Sequence, residues 1–289
     1  MPEVRPTGAA LGADIIGVDL AKPLTSAEFG VIHRAWMAHL VLRFREQRLT
    51  DDQLMAFSRN FGALDGNPRH AKAEGRAVGA GEGPASAGYV NVISNVVENG
   101  KAIGGLGNYE SKWHTDMSYN SVPPMASALY ALEVPPSGGD TGFCNMYTAL
   151  ETLPPALRTR IDGLSCVHDS SLNSVGQLRV GFEDVTDPRR TPGAVHPLVR
   201  THPVTGRACL FLGRRRNAYV QGLELADSEA LLDALWAHAT QARFCWTQQW
   251  RVGDLVLWDN RCALHRRDEF DGTARRVMHR TQISGDRPF

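Results

Sequence analysis

Two stretches near the start of the chain repeat apolar residues with a helical period. Phe29, Ile32, Ala35 and Trp36 share one face, preceded by Thr25-Ser26-Ala27-Glu28, whose threonine and glutamate are spaced as in a capping box. Thr50-Asp51-Asp52-Gln53 repeats that opening, and Leu54, Phe57 and Phe61 supply a second stripe. Between them lies the short β-prone run Leu40-Val41-Leu42-Arg43-Phe44. The pattern predicts helix, strand, helix over the opening sixty residues.

Residues 66–110 break this regularity. Gly79, Gly81, Gly83, Gly88, Gly104, Gly105 and Gly107 lie there among few large apolar residues, and only residues 89–93 have a strand-like pattern. The composition predicts a mobile active-site loop region, since long loops in compact domains tend to be lids. None of these glycines forms a phosphate cradle between a strand and a helix.

From residue 126 onward, short strands alternate with turn signals. Residues 128–134, 141–145, 195–199, 208–212, 243–246, 255–258 and 276–283 are strand candidates. Pro135-Pro136-Ser137-Gly138-Gly139 stops the first of them. A helical stretch runs through Leu150 and Leu157, and a clearer helix begins near Asp227-Ser228 with Leu231, Leu232, Leu235 and Trp236 on one face. This mainly β pattern with flanking helices favours a barrel or sandwich over a parallel α/β sheet.

The chain has 289 residues, a length that suits one large β-rich domain spanning 1–289. Lys+Arg and Asp+Glu both number 31, so no basic surplus points to nucleic acid or to an anionic membrane. The opening Met-Pro-Glu-Val-Arg-Pro leads into no apolar stretch of the signal-peptide kind, and no run of eighteen apolar residues occurs. The five cysteines are scattered and odd in number, which predicts reduced core thiols, no disulfide and no structural zinc. A cytoplasmic protein is the expectation.

Candidate chemistry concentrates in two places. In Trp113-His114-Thr115-Asp116, an extended backbone points residues i and i+2 to the same side, so His114 and Asp116 can present an imidazole and a carboxylate to one point. Two histidines and a carboxylate with open positions opposite form the ligand set of non-haem Fe(II) oxygenases. A short motif such as His-x-Asp also arises by chance in a chain with ten histidines. The second place sharpens the reading. The β-run Leu255-Val256-Leu257-Trp258 ends in Asp259-Asn260-Arg261, and His265 follows on what should be the paired return strand. Arg276 and Arg280 come eleven and fifteen residues later, and arginine is rarely buried without an anionic partner.

Taken together these motifs resemble the taurine dioxygenase/2,4-dichlorophenoxyacetate dioxygenase (TauD/TfdA) family. The resemblance runs from Leu11-Gly12-Ala13-Asp14-Ile15 through Phe57-Ser58-Arg59-Asn60-Phe61-Gly62, Trp113-His114-Thr115-Asp116, Pro135-Pro136-Ser137-Gly138-Gly139-Asp140-Thr141 and His196-Pro197-Leu198-Val199-Arg200. It closes with Trp258-Asp259-Asn260-Arg261 and Arg275-Arg276-Val277-Met278-His279-Arg280. It implies a double-stranded β-helix core, a cupin-like jelly roll with helices outside. It implies that His114, Asp116 and His265 ligate Fe(II), that Arg276 and Thr141 hold the distal carboxylate of 2-oxoglutarate, and that Arg280 reaches an acidic group of the primary substrate. The implied reaction consumes O2 and 2-oxoglutarate, releases succinate and CO2, and hydroxylates a substrate C–H. Related halogenating enzymes lack the carboxylate at the position of Asp116, so its presence implies hydroxylation.

The substrate side departs from that pattern. Taurine-specific members carry an asparagine shortly before His-x-Asp; by counting, Glu110 stands there, and a carboxylate would repel a sulfonate. Tyr109, Asn108 and Met117 are further candidates for the substrate wall, as is His70 in the glycine-rich stretch. Arg214-Arg215-Arg216 is read as a solvated hairpin edge, with a cationic rim as the sharper alternative. The remaining histidines are read as structural, His279 facing away from Arg280 by strand alternation. The substrate is expected to be a small acidic or zwitterionic metabolite: an alkylsulfonate such as taurine, an aryloxyalkanoate or an amino-acid-like compound. The competing readings are a zinc hydrolase on a cupin-like barrel, using the same ligand set to activate water, and a catalytically silent metal-binding barrel. Members of the family are often dimers or tetramers, which makes a homo-oligomer the expectation.

Overall fold

The computed structural model of the chain describes residues 1–66 and 88–289. His70 and much of the glycine-rich stretch lie outside the described residues. Two strands the hydrophobic pattern does not reveal open the chain, β1 (Glu3–Pro6) and β2 (Ala13–Ile16), paired antiparallel. Helix α1 (Ser26–His39) starts where its capping box predicts: the Thr25 hydroxyl accepts from the Glu28 amide and the Glu28 carboxylate accepts from the Thr25 amide. Strand β3 (Val41–Phe44) and helix α2 (Asp51–Arg59), capped the same way by Thr50 and Gln53, complete the predicted opening.

Residues 88–110 are more ordered than their glycines suggest. They form β4 (Asn91–Ser94), a small hairpin of β5 (Val97–Glu98) and β6 (Lys101–Ala102), and β7 (Gly105–Leu106), which pairs parallel with β4. Then come β8 (Ser111–His114), β9 (Ala126–Glu133), β10 (Thr141–Asn145) and two short helices, α3 (Met146–Glu151) and α4 (Pro155–Arg160). The next segment holds β11 (Ser165–Asp169), β12 (Gly193–Pro197), β13 (Val199–Thr201), β14 (Ala208–Leu210) and β15 (Tyr219–Val220). Helix α5 (Leu225–Ala239) precedes the closing strands β16 (Cys245–Gln248), β17 (Leu255–Asp259), β18 (Ala263–Arg267) and β19 (Val277–Ile283).

Two sheets build the jelly-roll core. The larger runs β1-β2-β3-β17-β9-β19-β4-β7, the smaller β16-β10-β18-β8. Alternation explains why Leu255-Val256-Leu257-Trp258 is apolar throughout: the strand is buried on both sides. Leu255 and Leu257 pack with Ile32, Trp36, Leu54 and Phe57 of α1 and α2, while Val256 and Trp258 join Phe143 and Leu264 of the small sheet. The rings of Phe143 and Trp258 meet with centroids 5.6 Å apart.

Three expectations need correction. First, β17 and β18 are not paired: β17 lies between β3 and β9 in the large sheet, and β18 between β10 and β8 in the small one. The polar turn between them is a buried corner that carries the chain across the sandwich, with Asp259 gripping the Arg261 guanidinium at 2.6 and 2.8 Å. Second, Cys144 and Cys245 form a disulfide. They are cross-strand partners in the β10–β16 register, with Cα atoms 4.2 Å apart, although 101 residues separate them in sequence. Spacing along the chain carries no trace of such a register. Third, the strand expected over 243–246 begins at Cys245, because Ala242–Phe244 makes a helical turn.

Candidate active site

His114 ends β8 and stands directly opposite His265 of β18 in the strand register. Asp116 follows two residues after His114, as the spacing predicts. The Nε2 atoms of His114 and His265 lie 3.6 and 3.7 Å from the same Asp116 oxygen, Oδ1, and all three residues are buried. His114 Nδ1 sits 2.7 Å from the Lys112 carbonyl, which can only accept, so that nitrogen carries the proton and Nε2 keeps its lone pair for the shared point. Asp116 is held from outside this cluster. Ser127 donates to its Oδ2 at 2.8 Å, and Arg280 Nη1 donates to both oxygens at 3.1 and 3.3 Å.

The electrostatics suit a cation. Burial acts to raise the Asp116 pKa, but the Arg280 charge and the two imidazoles outweigh it and hold the carboxyl well below its usual range. Burial pushes both histidines down, and for His265 the neighbouring His114 adds to the effect. Two neutral imidazoles and one carboxylate converging on a point are the donor set of a divalent transition metal.

Beside the triad, a cavity is lined from both sheets. Ile93, Leu129, Trp258 and Arg280 come from the large sheet; Ser111, His114, Thr141, His265 and Arg267 come from the small one. Arg276, just before β19, completes the wall. It is 1% exposed, and its Nε, Nη1 and Nη2 all lack a hydrogen-bond partner among the described residues. Burial pushes its pKa down to about 9, which leaves it charged at neutral pH. A buried guanidinium with no acceptor is a slot for an anion. Thr141 stands ready to help: its hydroxyl oxygen accepts from Trp250 Nε1 at 2.9 Å, which leaves its proton free to donate. Gly139 sits close by, at φ +69°, where a Cβ would meet Arg276 Nε at 3.2 Å.

Residues 3–282 match the family described as Taurine catabolism dioxygenase TauD, TfdA family. The chain belongs to that family. It is 38% identical to the alpha-ketoglutarate-dependent 2,4-dichlorophenoxyacetate dioxygenase of Cupriavidus pinatubonensis, over 98% of this chain and 97% of that one. It is 34% identical to the (S)-phenoxypropionate/alpha-ketoglutarate-dioxygenase of Delftia acidovorans, over 98% and 95% of the two chains. Among solved structures it resembles AAD-2 in complex with Mn(II) and N-oxalylglycine, with a TM-score of 0.79 and 32% identity over 100% and 99% of the chains. This TauD/TfdA protein is thus a 2-oxoglutarate-dependent dioxygenase of a small-molecule substrate, working with Fe(II), 2-oxoglutarate and O2.

The structure brings His114, Asp116, His265, Thr141, Arg276 and Arg280 to one cavity. Among the described residues, it does not line that cavity with Asn108, Tyr109, Glu110 or Met117. Tyr109 is 59% exposed, and Glu110 is half-exposed and reaches only the cavity's rim, where Arg266 lies 3.9 Å from its carboxylate. Asn108 spends its side-chain amide on the Phe270 carbonyl at 3.3 Å. Met117 has a left-handed backbone, φ 46°, and is not among the residues that line the cavity. One residue decides the facing: Ser111, next to Glu110, lines the cavity instead. Of the arginine run, only Arg216 is exposed as a solvated residue would be. Arg215 pairs with Glu229 and Asp233, while the largely enclosed Arg214 donates to the Leu172 carbonyl and lends its charge to all three members of the triad. Gly213 makes that approach feasible, since a Cβ there would collide with His168 and its carbonyl accepts from the Thr115 amide.

A second cluster, His202, Asp259 and Cys262, has the residue types of a metal site but not the chemistry. His202 Nδ1 accepts from the Val204 and Thr205 amides, so Nε2 carries the proton and donates to Asp259 at 3.0 Å. His202 therefore has no lone pair left for a cation.

Proposed function

We propose that His114, Asp116 and His265 hold the Fe(II), that Arg276 and Thr141 take the distal carboxylate of 2-oxoglutarate, and that Arg280 orients an aryloxyalkanoate-type acid. The observation that carries the reading is the unpartnered buried Arg276, in the same cavity as a convergent His-Asp-His triad. A hydrolase or a silent barrel has no use for that slot.

Bound iron and 2-oxoglutarate supply the oxidation, in which O2 places one oxygen on a substrate C–H and 2-oxoglutarate leaves as succinate and CO2. The chain's own residues do the positioning. Arg280 keeps its Nε unpartnered while Nη1 holds Asp116, so one guanidinium can tie a substrate carboxylate to the ligand frame. Ile93, Leu106, Leu129 and Trp258 form an apolar wall suited to an aromatic ring and to the exclusion of water. An acid anchored at its carboxylate presents the carbon next to it. In an aryloxyalkanoate that carbon also bears the ether oxygen, so its hydroxylation gives a hemiacetal that splits into a phenol and an oxo acid.

Two relatives are named for acids of this class, which supports the choice over sulfonates and amino acids. The test is succinate release with phenoxyacetate, 2-phenoxypropionate, taurine and a panel of amino acids. Aryloxy acids should give succinate and phenol in equal amounts. Turnover of taurine or an amino acid without phenol formation from any aryloxy acid would overturn the substrate reading. We further read residues 1–289 as one catalytic domain that works in the cytoplasm as a homo-oligomer, dimer or tetramer. The even charge balance does not oppose self-association, and light scattering decides the number of copies.

A further inference from the structure

Arg267 is a buried cation that the reading above leaves without a task. It shares the inner face of β18 with His265, two residues before it, and pairs across the strands with Thr141 of β10. Its guanidinium carbon lies 5.6 Å from the centre of the Phe270 ring, and that of Arg276 lies 6.0 Å from the same ring. Both arginines line the one cavity, together with Thr141. Arg267 has no carboxylate within ion-pair distance among the described residues. Its Nη2 donates to the carbonyls of Leu106 and Tyr109, and its Nε is buried without a partner. Two neighbouring guanidiniums repel each other, and burial strengthens that repulsion. An anion between them relieves it, and the hydroxyl of Thr141 adjoins the same place.

We propose that Arg267 is a second guanidinium for the distal carboxylate of 2-oxoglutarate, completing with Arg276 and Thr141 a site selective for a dianionic 2-oxo acid. This rests on the assignment of Arg276 above. The backbone bonds of Arg267 occupy only Nη2, which leaves its Nε–H and Nη1 for the ligand. The competing role for Arg267 is structural alone, pinning the segment that carries Leu106 and Tyr109, and the two roles differ in what they do to ligands lacking the distal carboxylate.

The experiment compares dissociation constants of 2-oxoglutarate and 2-oxovalerate, which has a methyl group in place of that carboxylate. Both are titrated anaerobically into Fe(II)-loaded protein and read from the visible band that follows chelation. Arg267→Gln should weaken 2-oxoglutarate about tenfold, the scale of one charge-assisted hydrogen bond, and leave 2-oxovalerate within about twofold. Arg267→Lys, which keeps the charge and loses the fork, should fall between wild type and Arg267→Gln. Equal weakening of both ligands, in either variant, would reduce Arg267 to a structural strut; unchanged 2-oxoglutarate affinity would remove it from the site. Arg276→Gln is the separate arm. If it leaves 2-oxoglutarate binding intact, the assignment of Arg276 fails on its own, whatever Arg267 does.

Discussion

Asp116 is the residue on which most contacts converge. It turns Oδ1 toward two imidazoles, accepts from Ser127 on Oδ2, and takes Arg280 across both oxygens. Ser127 is fully buried and does not line the cavity, so its effect runs through the carboxylate. Ser127→Ala should lower Fe(II) affinity about tenfold or more, as loss of an outer partner of a ligand commonly does. Unchanged affinity in an anaerobic metal titration would relieve Ser127 of that role. Arg280 allows a sharper separation: Arg280→Gln should raise the KM for an aryloxy acid far more than that for 2-oxoglutarate. Alternation along an extended strand was enough to place His114 and Asp116 together from sequence. It was not enough for Glu110, because whether a residue just before β8 faces in or out depends on where pairing begins. Arg267 escaped notice for a related reason: two arginines after a histidine look like a solvated edge until β18 is known to face β19 across the cavity.

At the scale of elements, α1 and α2 were legible because capping is local chemistry, whereas the crossing of the chain from β17 to β18 was not. That corner is held by Asp259, which accepts from Arg261 and from His202 while buried. Burial acts to raise the Asp259 pKa, but the Arg261 and His202 contacts hold it below the ordinary carboxylate range. A folded value below the unfolded one means that the stabilisation is complete above the ordinary aspartate range and is lost as pH falls toward the folded value. Asp259→Asn leaves Arg261 buried and uncompensated, and should cost about 3 kcal/mol or more in urea unfolding at neutral pH. It should also flatten the acid side of the stability profile; a profile unchanged from wild type would place the acid-sensitive group elsewhere. The Cys144–Cys245 bond joins β10 to β16 on the same sheet as His265. Denatured without reductant, the chain should expose three alkylatable thiols, Cys166, Cys209 and Cys262, and all five after reduction. Five before reduction would show that the bond does not form where the protein is made.

Across the whole molecule, the two sheets contribute different halves of the site. The small sheet brings both imidazoles and Thr141; the large sheet brings Arg280, with Arg276 at the entry to β19. A ligand that chelates the metal at one end and meets Arg276 at the other therefore bridges the sandwich, and it can do so only when the metal is present. Binding to the folded state alone stabilises by mass action, about 2.7 kcal/mol at a hundredfold excess over Kd. For a chain somewhat longer than a typical single domain that amounts to a rise in Tm of about 5 °C. Mn(II), the metal in the similar AAD-2 structure, is the convenient metal for the melt. Wild-type protein with Mn(II) and 2-oxoglutarate should show the full rise, metal-free protein with 2-oxoglutarate a small fraction of it, and Arg276→Gln with both additions a similarly small fraction. A metal-independent rise would mean that the dicarboxylate binds at the arginines alone, and the bridge between the sheets would have to be abandoned.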